Sequence, residues 1–346
     1  MKMLFFVALF VSAACGDPIY TITNLGGLGG AASTGYAVNN SGVVAGWGQN
    51  QSGATQAFVS NTGGLAGLPL GSATESYAYG INEAGTVVGD TYINGQSHAT
   101  IWTGSGLTVL GANTYAMAVN GSGEVTGGNG QAFVVVNGQV QNLATMAGVN
   151  WSAGYGINAT DEVVGDGELG NGTFRAMIWK PNGSVELLGT LGGSSSQATG
   201  VNDSGEVVGF ASLANGYQNA FSMQHGTMTD LGSLGESSYA YGINNSGEVV
   251  GYSYLDNGDQ QAFLYDDGTM LNLNSLLPAN SGWVLEEAFG INAAGQITGM
   301  GLYDGQSTAF LMTDPGDLAA IPEPGENLAM AAGIGLIALL RPREKC

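Results

Sequence analysis

The sequence predicts an all-β fold, a seven-bladed β-propeller closed by an N-terminal strand. Three observations predict it. A polar turn motif recurs seven times at spacings of 38–48 residues. Each repeat has room for four short strands. The last repeat lacks its fourth strand, and a segment of that pattern lies near the N-terminus.

The repeat has the form "GINNSGEVVG", as at residues 242–251, and its first asparagine anchors each unit. The period is typical of propeller blades and of some helical repeats. Abundant glycine (60 of 346 residues) and β-branched pairs such as Val249-Val250 exclude the helical alternative. The anchoring residues are Asn39, Asn82, Asn120, Asn158, Asn202, Asn244 and Asn292.

A type I β-turn is predicted after each first strand, with asparagine at its first position and glycine at its fourth. The asparagine side chain can bond the backbone two residues on, and glycine accepts a positive φ without steric cost. In the fourth unit Asp161 takes the glycine position, and aspartate is among the few residues that tolerate that conformation. The glycines are Gly42, Gly85, Gly123, Gly205, Gly247 and Gly295.

Four strands fit each unit, and in the sixth they are predicted at 239–243, 248–254, 261–265 and 269–273. The third strand carries a small residue followed by a large aromatic one. This pairing suits sheets that stack face to face and are buried on both sides. The pairs are Ala57-Phe58, Ala132-Phe133, Ala220-Phe221, Ala262-Phe263 and Ala309-Phe310, with tryptophan-containing variants at 99–102 and 176–179.

Ring closure is predicted from the ends of the repeat region. The seventh unit stops at Asp314 after three strands, and "YTITNLGGLGG" at 20–30 matches the fourth-strand pattern. An N-terminal strand in the last blade would leave no open sheet edge. The alternative is a β-solenoid, which tolerates the same period but does not need this strand. The propeller domain is expected over residues 17–314.

The N-terminus predicts export. Residues 1–16 combine one positive charge, an apolar run and small residues, as a secretory signal peptide does. "SAAC" faintly resembles a lipobox, which would lipidate Cys15. Cys346 is the only other cysteine, so neither a disulfide framework nor a cysteine-based metal site is expected.

The C-terminal segment, residues 322–346, places Pro322-Glu323-Pro324 before an apolar run (328–340) and a basic tail. A helix of that run would be about 20 Å long, shorter than the roughly 30 Å hydrocarbon core. The segment resembles the PEP-CTERM sorting signal, which implies transient membrane insertion and processing by an exosortase-like enzyme. An ordinary tail anchor is the alternative. Residues 315–321 are expected to be a linker.

The repeats themselves resemble the HAF-type extracellular repeat through "GIN..GEVVG" and "DLGSLG", over roughly residues 20–313. The histidine for which that repeat is named occurs here only at His98. The resemblance implies an exported repeat protein and supplies no catalytic residues.

Charge and composition exclude several function classes. The net charge is −21, and only Arg175 and Lys180 are basic outside the termini. Such a body repels phosphate backbones, so nucleic-acid binding is not expected. His98 and His225 lie in different units and no G-x-S-x-G motif occurs, so no catalytic residue is predicted. No cofactor is expected; turns at 202–206, 256–259 and 304–307 offer oxygens for Ca²⁺ but lack EF-hand spacing.

The sequence therefore predicts a surface-displayed or secreted, non-enzymatic repeat protein that binds an extracellular polysaccharide or protein, or acts as a matrix component. The alternative is a propeller-based carbohydrate-active enzyme, a lyase or glycosidase. Trp151 and Trp283 are candidate ligand platforms, because both are expected in irregular segments between blades. Burial as blade-packing aromatics is the competing interpretation of both.

Overall fold

The structure, a computed structural model, describes residues 20–314. They form 28 strands in seven four-stranded sheets, the blades of a β-propeller. The predicted segments 1–16, 315–321 and 322–346 lie outside the described residues. The blades comprise β2 (Gly29–Val38), β3 (Val44–Asn50), β4 (Thr55–Asn61) and β5 (Gly64–Gly67); β6 (Glu75–Ile81), β7 (Val87–Ile93), β8 (Gln96–Thr103) and β9 (Gly106–Ala112); β10 (Tyr115–Val119), β11 (Val125–Gly128), β12 (Ala132–Val136) and β13 (Gln139–Asn142); β14 (Val149–Ile157), β15 (Val163–Leu169), β16 (Phe174–Trp179) and β17 (Val185–Leu187); β18 (Gly192–Val201), β19 (Val207–Leu213), β20 (Gln218–Gln224) and β21 (Thr227–Asp230); β22 (Ser238–Ile243), β23 (Val249–Tyr254), β24 (Gln260–Asp266) and β25 (Thr269–Asn272); and β26 (Trp283–Ile291), β27 (Ile297–Tyr303), β28 (Gln306–Thr313) and β1 (Thr21–Gly26).

Blade 7 is completed by the N-terminal strand, as predicted. Its order is β26-β27-β28-β1, whereas blades 1–6 each use four consecutive strands. β1 pairs antiparallel with β28, with Thr21 opposite Thr313. A 3-10 helix, Leu273–Leu276, follows β25 in blade 6, and the Tyr20 N–H donates to the carbonyl of Leu276 at 3.1 Å. The propeller, and not the solenoid, is the fold.

The repeated asparagine joins neighbouring blades as well as shaping its own turn. In blade 6, Asn244 Oδ1 accepts from the N–H groups of Ser246 and Glu248 at 3.0 and 3.1 Å, and Asn244 Nδ2 donates to the Asn292 carbonyl at 3.0 Å. Every anchoring asparagine makes the same bond to the next, and the seven bonds form a closed ring. The predicted glycines all have positive φ, as has Asp161 at 63°. The ring between blades was not predicted.

Each innermost strand contains a β-bulge at one repeated position. In β22 the pairing with β23 shifts between Ala240 and Gly242, which leaves Tyr241 as the extra residue. The same shift occurs in all seven blades. Bulges bend a strand and redirect the side chain at the extra residue. Here that side chain lies at the wall of the central channel.

The contacts between blades use the alanine and aromatic residues predicted on the third strand. Ala220 and Phe221 are fully buried, as are their equivalents. In six interfaces a serine or threonine hydroxyl of the next blade accepts a hydrogen bond from the alanine N–H. Ser238 Oγ, for example, accepts from the Ala220 N–H at 2.8 Å. Between blades 6 and 7 the contact differs, because Asn274 of blade 6 bonds both backbone groups of Leu285 in blade 7.

Among residues 20–314, no helix has the length and apolar character needed to cross a membrane.

Candidate functional site

The central channel is lined by the seven bulged residues of the innermost strands. Its volume is about 630 Å³, within the range of ligand cavities. Five of the seven side chains are aromatic, and all seven occupy the same position of the repeat, three residues before the anchoring asparagine. The seven are Tyr36, Tyr79, Met117, Tyr155, Thr199, Tyr241 and Phe289.

Aromatic rings cover one side of the channel continuously. Tyr36 lies 5.2 Å from Tyr79 and 4.7 Å from Phe289, measured between ring centroids. Phe289 lies 5.2 Å from Tyr241, so the contacts run from blade 2 through blades 1 and 7 to blade 6. The other side is formed by Met117, Tyr155 and Thr199 of blades 3, 4 and 5. The channel therefore has an aromatic side and a mixed side.

Two buried aspartates lie near the channel in blades 2 and 4, and Asp90 is among the residues that line it. Asp90 is 6% exposed and accepts a bond from the Ala116 N–H at 3.3 Å. Burial raises the pKa of Asp90 to about 7 and that of Asp166 to about 6. Tyr115 lies between them, and its own pKa is raised, mainly by burial and then by the two carboxylates. The wall is thus acidic, with groups that titrate near neutrality.

A side pocket of about 330 Å³ opens between blades 4 and 5 and shares Tyr155 and Gln197 with the channel. β14 and β16 contribute aromatic rings, and β15 contributes Asp166. β18 and the start of β20 contribute polar side chains. The lining residues are Trp151, Tyr155, Asp166, Phe174, Ser195, Ser196, Gln197, Phe210 and Gln218.

Two oxygens at this pocket have no hydrogen-bond partner among the described residues: Asp166 Oδ1 and Gln218 Oε1. Asp166 is 2% exposed, and its other oxygen, Oδ2, accepts from Gln197 Nε2 at 2.8 Å. Burial raises the Asp166 pKa, and the Tyr155 hydroxyl, which faces the carboxyl, offsets part of that rise as Gln197 does, without a hydrogen bond to Oδ1. Buried polar atoms normally find a partner. Their grouping beside a cavity makes the side pocket the candidate ligand site.

The structure separates the two tryptophans named as candidate platforms. Trp151 lines the side pocket and lies edge-on to Phe174, with ring centroids 6.1 Å apart. Trp283 is 8% exposed and packs in the core of blade 7 against Tyr303 and Phe310. The packing interpretation describes Trp283. The expectation of irregular segments was wrong for both, because each lies within an innermost strand, β14 or β26.

The other residues considered for chemistry are dispersed. His98 Nδ1 bonds the Leu110 carbonyl at 3.2 Å in blade 2, and His225 occupies the turn between β20 and β21 in blade 5. Residues 20–314 contain no group of three or more His, Cys, Asp or Glu side chains arranged to hold a metal ion. Asp166 was missed from the sequence. Its position varies between blades: aspartate also occupies it in blade 2, as Asp90, whereas Phe210 and Tyr252 occupy it in blades 5 and 6.

Comparison with known sequences adds one family. Residues 152–316, just under half of the chain, match a family described as a protein of unknown function (DUF3466). The matched region begins at blade 4 and includes the side pocket except Trp151. A search of the curated proteins found no match.

Comparison with solved structures supports the fold. The β-propeller domain of the Trilobed protease from Pyrococcus furiosus is 11% identical with a TM-score of 0.57, covering 82% of this chain and 96% of that one. That domain is described as having an open velcro topology, whereas here β1 completes the last blade. A Mycobacterium tuberculosis puromycin-hydrolyzing peptidase is 12% identical with a TM-score of 0.55, covering 83% of this chain and 51% of that one. TolB from Acinetobacter baumannii is 10% identical with a TM-score of 0.40, covering 63% of this chain and 60% of that one. At these identities the first two likenesses concern the fold alone.

Proposed function

We propose that this protein is an exported, non-enzymatic β-propeller, displayed at or released from a bacterial surface, that binds an extracellular saccharide through the side pocket and the adjoining channel. The observation that carries the proposal is the pairing of Trp151 and Phe174 with the unpartnered oxygens of Asp166 and Gln218. Small-molecule sites combine apolar and aromatic walls with a few convergent polar groups. Aromatic faces suit the apolar face of a sugar ring, and the oxygens accept from its polar groups.

Saccharide binding is tested with immobilised glycans and the full chain. Trp151→Ala is expected to weaken retention at least several-fold, because it removes one wall of the pocket. Trp47→Ala is the matched control, since Trp47 is also half-buried and lines neither cavity. Its ring packs against Tyr77, with ring centroids 6.0 Å apart. Equal weakening by both variants, or no retained glycan, would contradict the proposal.

Export and sorting rest on the terminal segments. The signal-peptide pattern of 1–16 and the PEP-CTERM resemblance of 322–346 support secretion followed by exosortase-like processing. Intact-mass measurement of the protein from a bacterium that has such an enzyme is the test. A mature chain that still ends at Cys346 would contradict sorting-linked processing.

A carbohydrate-active enzyme is the second candidate, and one observation favours it. Asp90 and Asp166 are carboxyls with pKa values near neutrality beside a cavity, as general acids often are. Reducing-end assays on the retained glycans separate the two functions. Turnover that is lost in Asp166→Asn would support the enzyme. Retention without turnover would support the binding module.

A further inference from the structure

The side pocket offers hydrogen-bond acceptors whose donors are missing. Asp166 Oδ1 and Gln218 Oε1 both lack partners among residues 20–314. None of the nine side chains that line the pocket is Lys, Arg or His. Arg175, next in sequence to Phe174, is bonded instead to the backbone carbonyls of Ser194 and Phe174.

Asp166 therefore carries a charge that the protein does not neutralise. It is 2% exposed, and Gln197 and Tyr155, which are neutral, are its side-chain neighbours. A buried carboxylate is costly unless a cation or several hydrogen bonds compensate for it. A ligand that brings a positive charge to Oδ1 would supply what the fold leaves out.

The rest of the pocket suits the same ligand chemistry. Four aromatic rings, from Trp151, Tyr155, Phe174 and Phe210, line it together with the carboxylate. Aromatic faces attract cations, most strongly where water is excluded. A neutral sugar hydroxyl both donates and accepts, whereas an ammonium group only donates. The unpartnered atoms here are both acceptors, which favours the ammonium.

We propose that the side pocket binds a protonated primary amine carried by a saccharide, that is, an amino sugar with a free amine. The ammonium donates to Asp166 Oδ1 and Gln218 Oε1, and the sugar ring packs on Trp151 and Phe174. The pocket volume of about 330 Å³ suits one sugar unit, since ligand cavities begin at roughly 300 Å³. The net charge of −21 also concentrates cationic polymers near the protein. This inference rests on the proposed saccharide binding and specifies its ligand.

The experiment is calorimetric titration of the full chain with a glucosamine trisaccharide, its fully N-acetylated counterpart and a tri-lysine peptide. Acetylation removes the charge and leaves the sugar in place. We expect the glucosamine trisaccharide to bind at least about tenfold more tightly than the acetylated one, and Asp166→Asn to remove that difference. Glu287→Gln is the matched control, because Glu287 is also a carboxyl whose pKa is raised by burial but lines neither the channel nor the side pocket.

The outcomes distinguish failure of the amine site from failure of the proposed saccharide binding. Equal binding of both trisaccharides, or preference for glucosamine that persists in a folded Asp166→Asn protein, would overturn the amine site while saccharide binding stands. Binding of tri-lysine alone would overturn the saccharide source of the amine. Binding of neither trisaccharide would overturn this inference, and a glycan panel that retains nothing would overturn the proposed function itself. Trp151→Ala, at a half-buried position, should weaken the glucosamine complex if Asp166→Asn fails to fold.

Discussion

Asn292 Nδ2 donates a hydrogen bond to the backbone carbonyl of Asn39 at 2.9 Å, joining residues that are 253 positions apart. It is the last of seven such bonds, each made just after the innermost strand of a blade. The pairing of β1 with β28 lies instead at the opposite edge of the blade 7 sheet. The ring is thus closed twice, once by a shared strand and once by side-chain amides.

Removing one ring asparagine should weaken the fold. Asn292→Ala loses the bond to Asn39 and two turn bonds from the N–H groups of Ala294 and Gln296. We expect a loss of about 1–3 kcal/mol in the free energy of unfolding, because buried groups lose their partners. Urea denaturation measures it. Asn182→Ala removes only an exposed turn bond to Ser184 and should change stability far less. Equal effects would mean that the contacts between blades contribute nothing.

Removing the closing strand should expose a sheet edge. A chain that begins at residue 27 lacks β1 and the buried Tyr20, and leaves β28 unpaired on one side. Unpaired edges promote association between chains. We expect dimers or larger species by light scattering after size exclusion, and earlier thermal unfolding than in a chain that begins at residue 18. A monomer with unchanged thermal stability would contradict the closure.

One glycine of the second strand should not tolerate a side chain. A Cβ at Gly251 would overlap the carbonyl oxygen of Tyr239. In each of the other six blades the equivalent glycine faces the equivalent carbonyl of its own innermost strand. We expect Gly251→Ala to destabilise the protein by about 2 kcal/mol or more, as overpacking against rigid backbone does. Gly121→Ala is the control, since nothing lies within 4 Å of its added Cβ and its φ is not positive. That variant should be neutral or slightly stabilising. Thermal melts of both variants compare them directly, and similar melting temperatures would contradict the close approach.

Stability should fall as pH rises through the acidic range. Burial raises the pKa of Asp90 to about 7 and of Asp166 to about 6, from an ordinary value of 3.8. Between these limits the native state binds more protons than the unfolded state, so the free energy of unfolding decreases with increasing pH. Burial raises the pKa of Glu287 as well, which acts in the same direction.

The double variant Asp90→Asn/Asp166→Asn tests this relation. Because amides do not ionise, the variant should be more stable than the parent at pH 8, with a smaller difference at pH 4.5. Urea denaturation at both values measures the difference. Asp256→Asn, at an exposed position, should not reproduce the trend. A parent protein whose stability rises from pH 4.5 to 8 would contradict the buried, raised carboxyls.

The fold was predictable because its signals repeat. The strands predicted in the sixth unit match β22–β25 to within one residue at each end. The Asn-to-Gly turns are local, so Asn244 and Gly247 specify them without any distant contact. The site was harder, because it is made by repeat positions at which the residue varies between blades. Trp151 was named, but Asp166 and Gln218 occupy strand positions that carry no recognisable motif.

The sequence by itself determined the number of blades, the turn chemistry and the use of an N-terminal strand for closure, since these depend on local conformation and on spacing along the chain. Only the tertiary structure decided which asparagine carbonyl each amide reaches, and which tryptophan lines a pocket. It also placed the Asp166 carboxyl of blade 4 beside the Gln197 and Gln218 side chains of blade 5. The physical reason is that a pocket between blades is made by residues of two repeats. Their proximity depends on the bulges and on the packing of whole sheets, which no single repeat specifies.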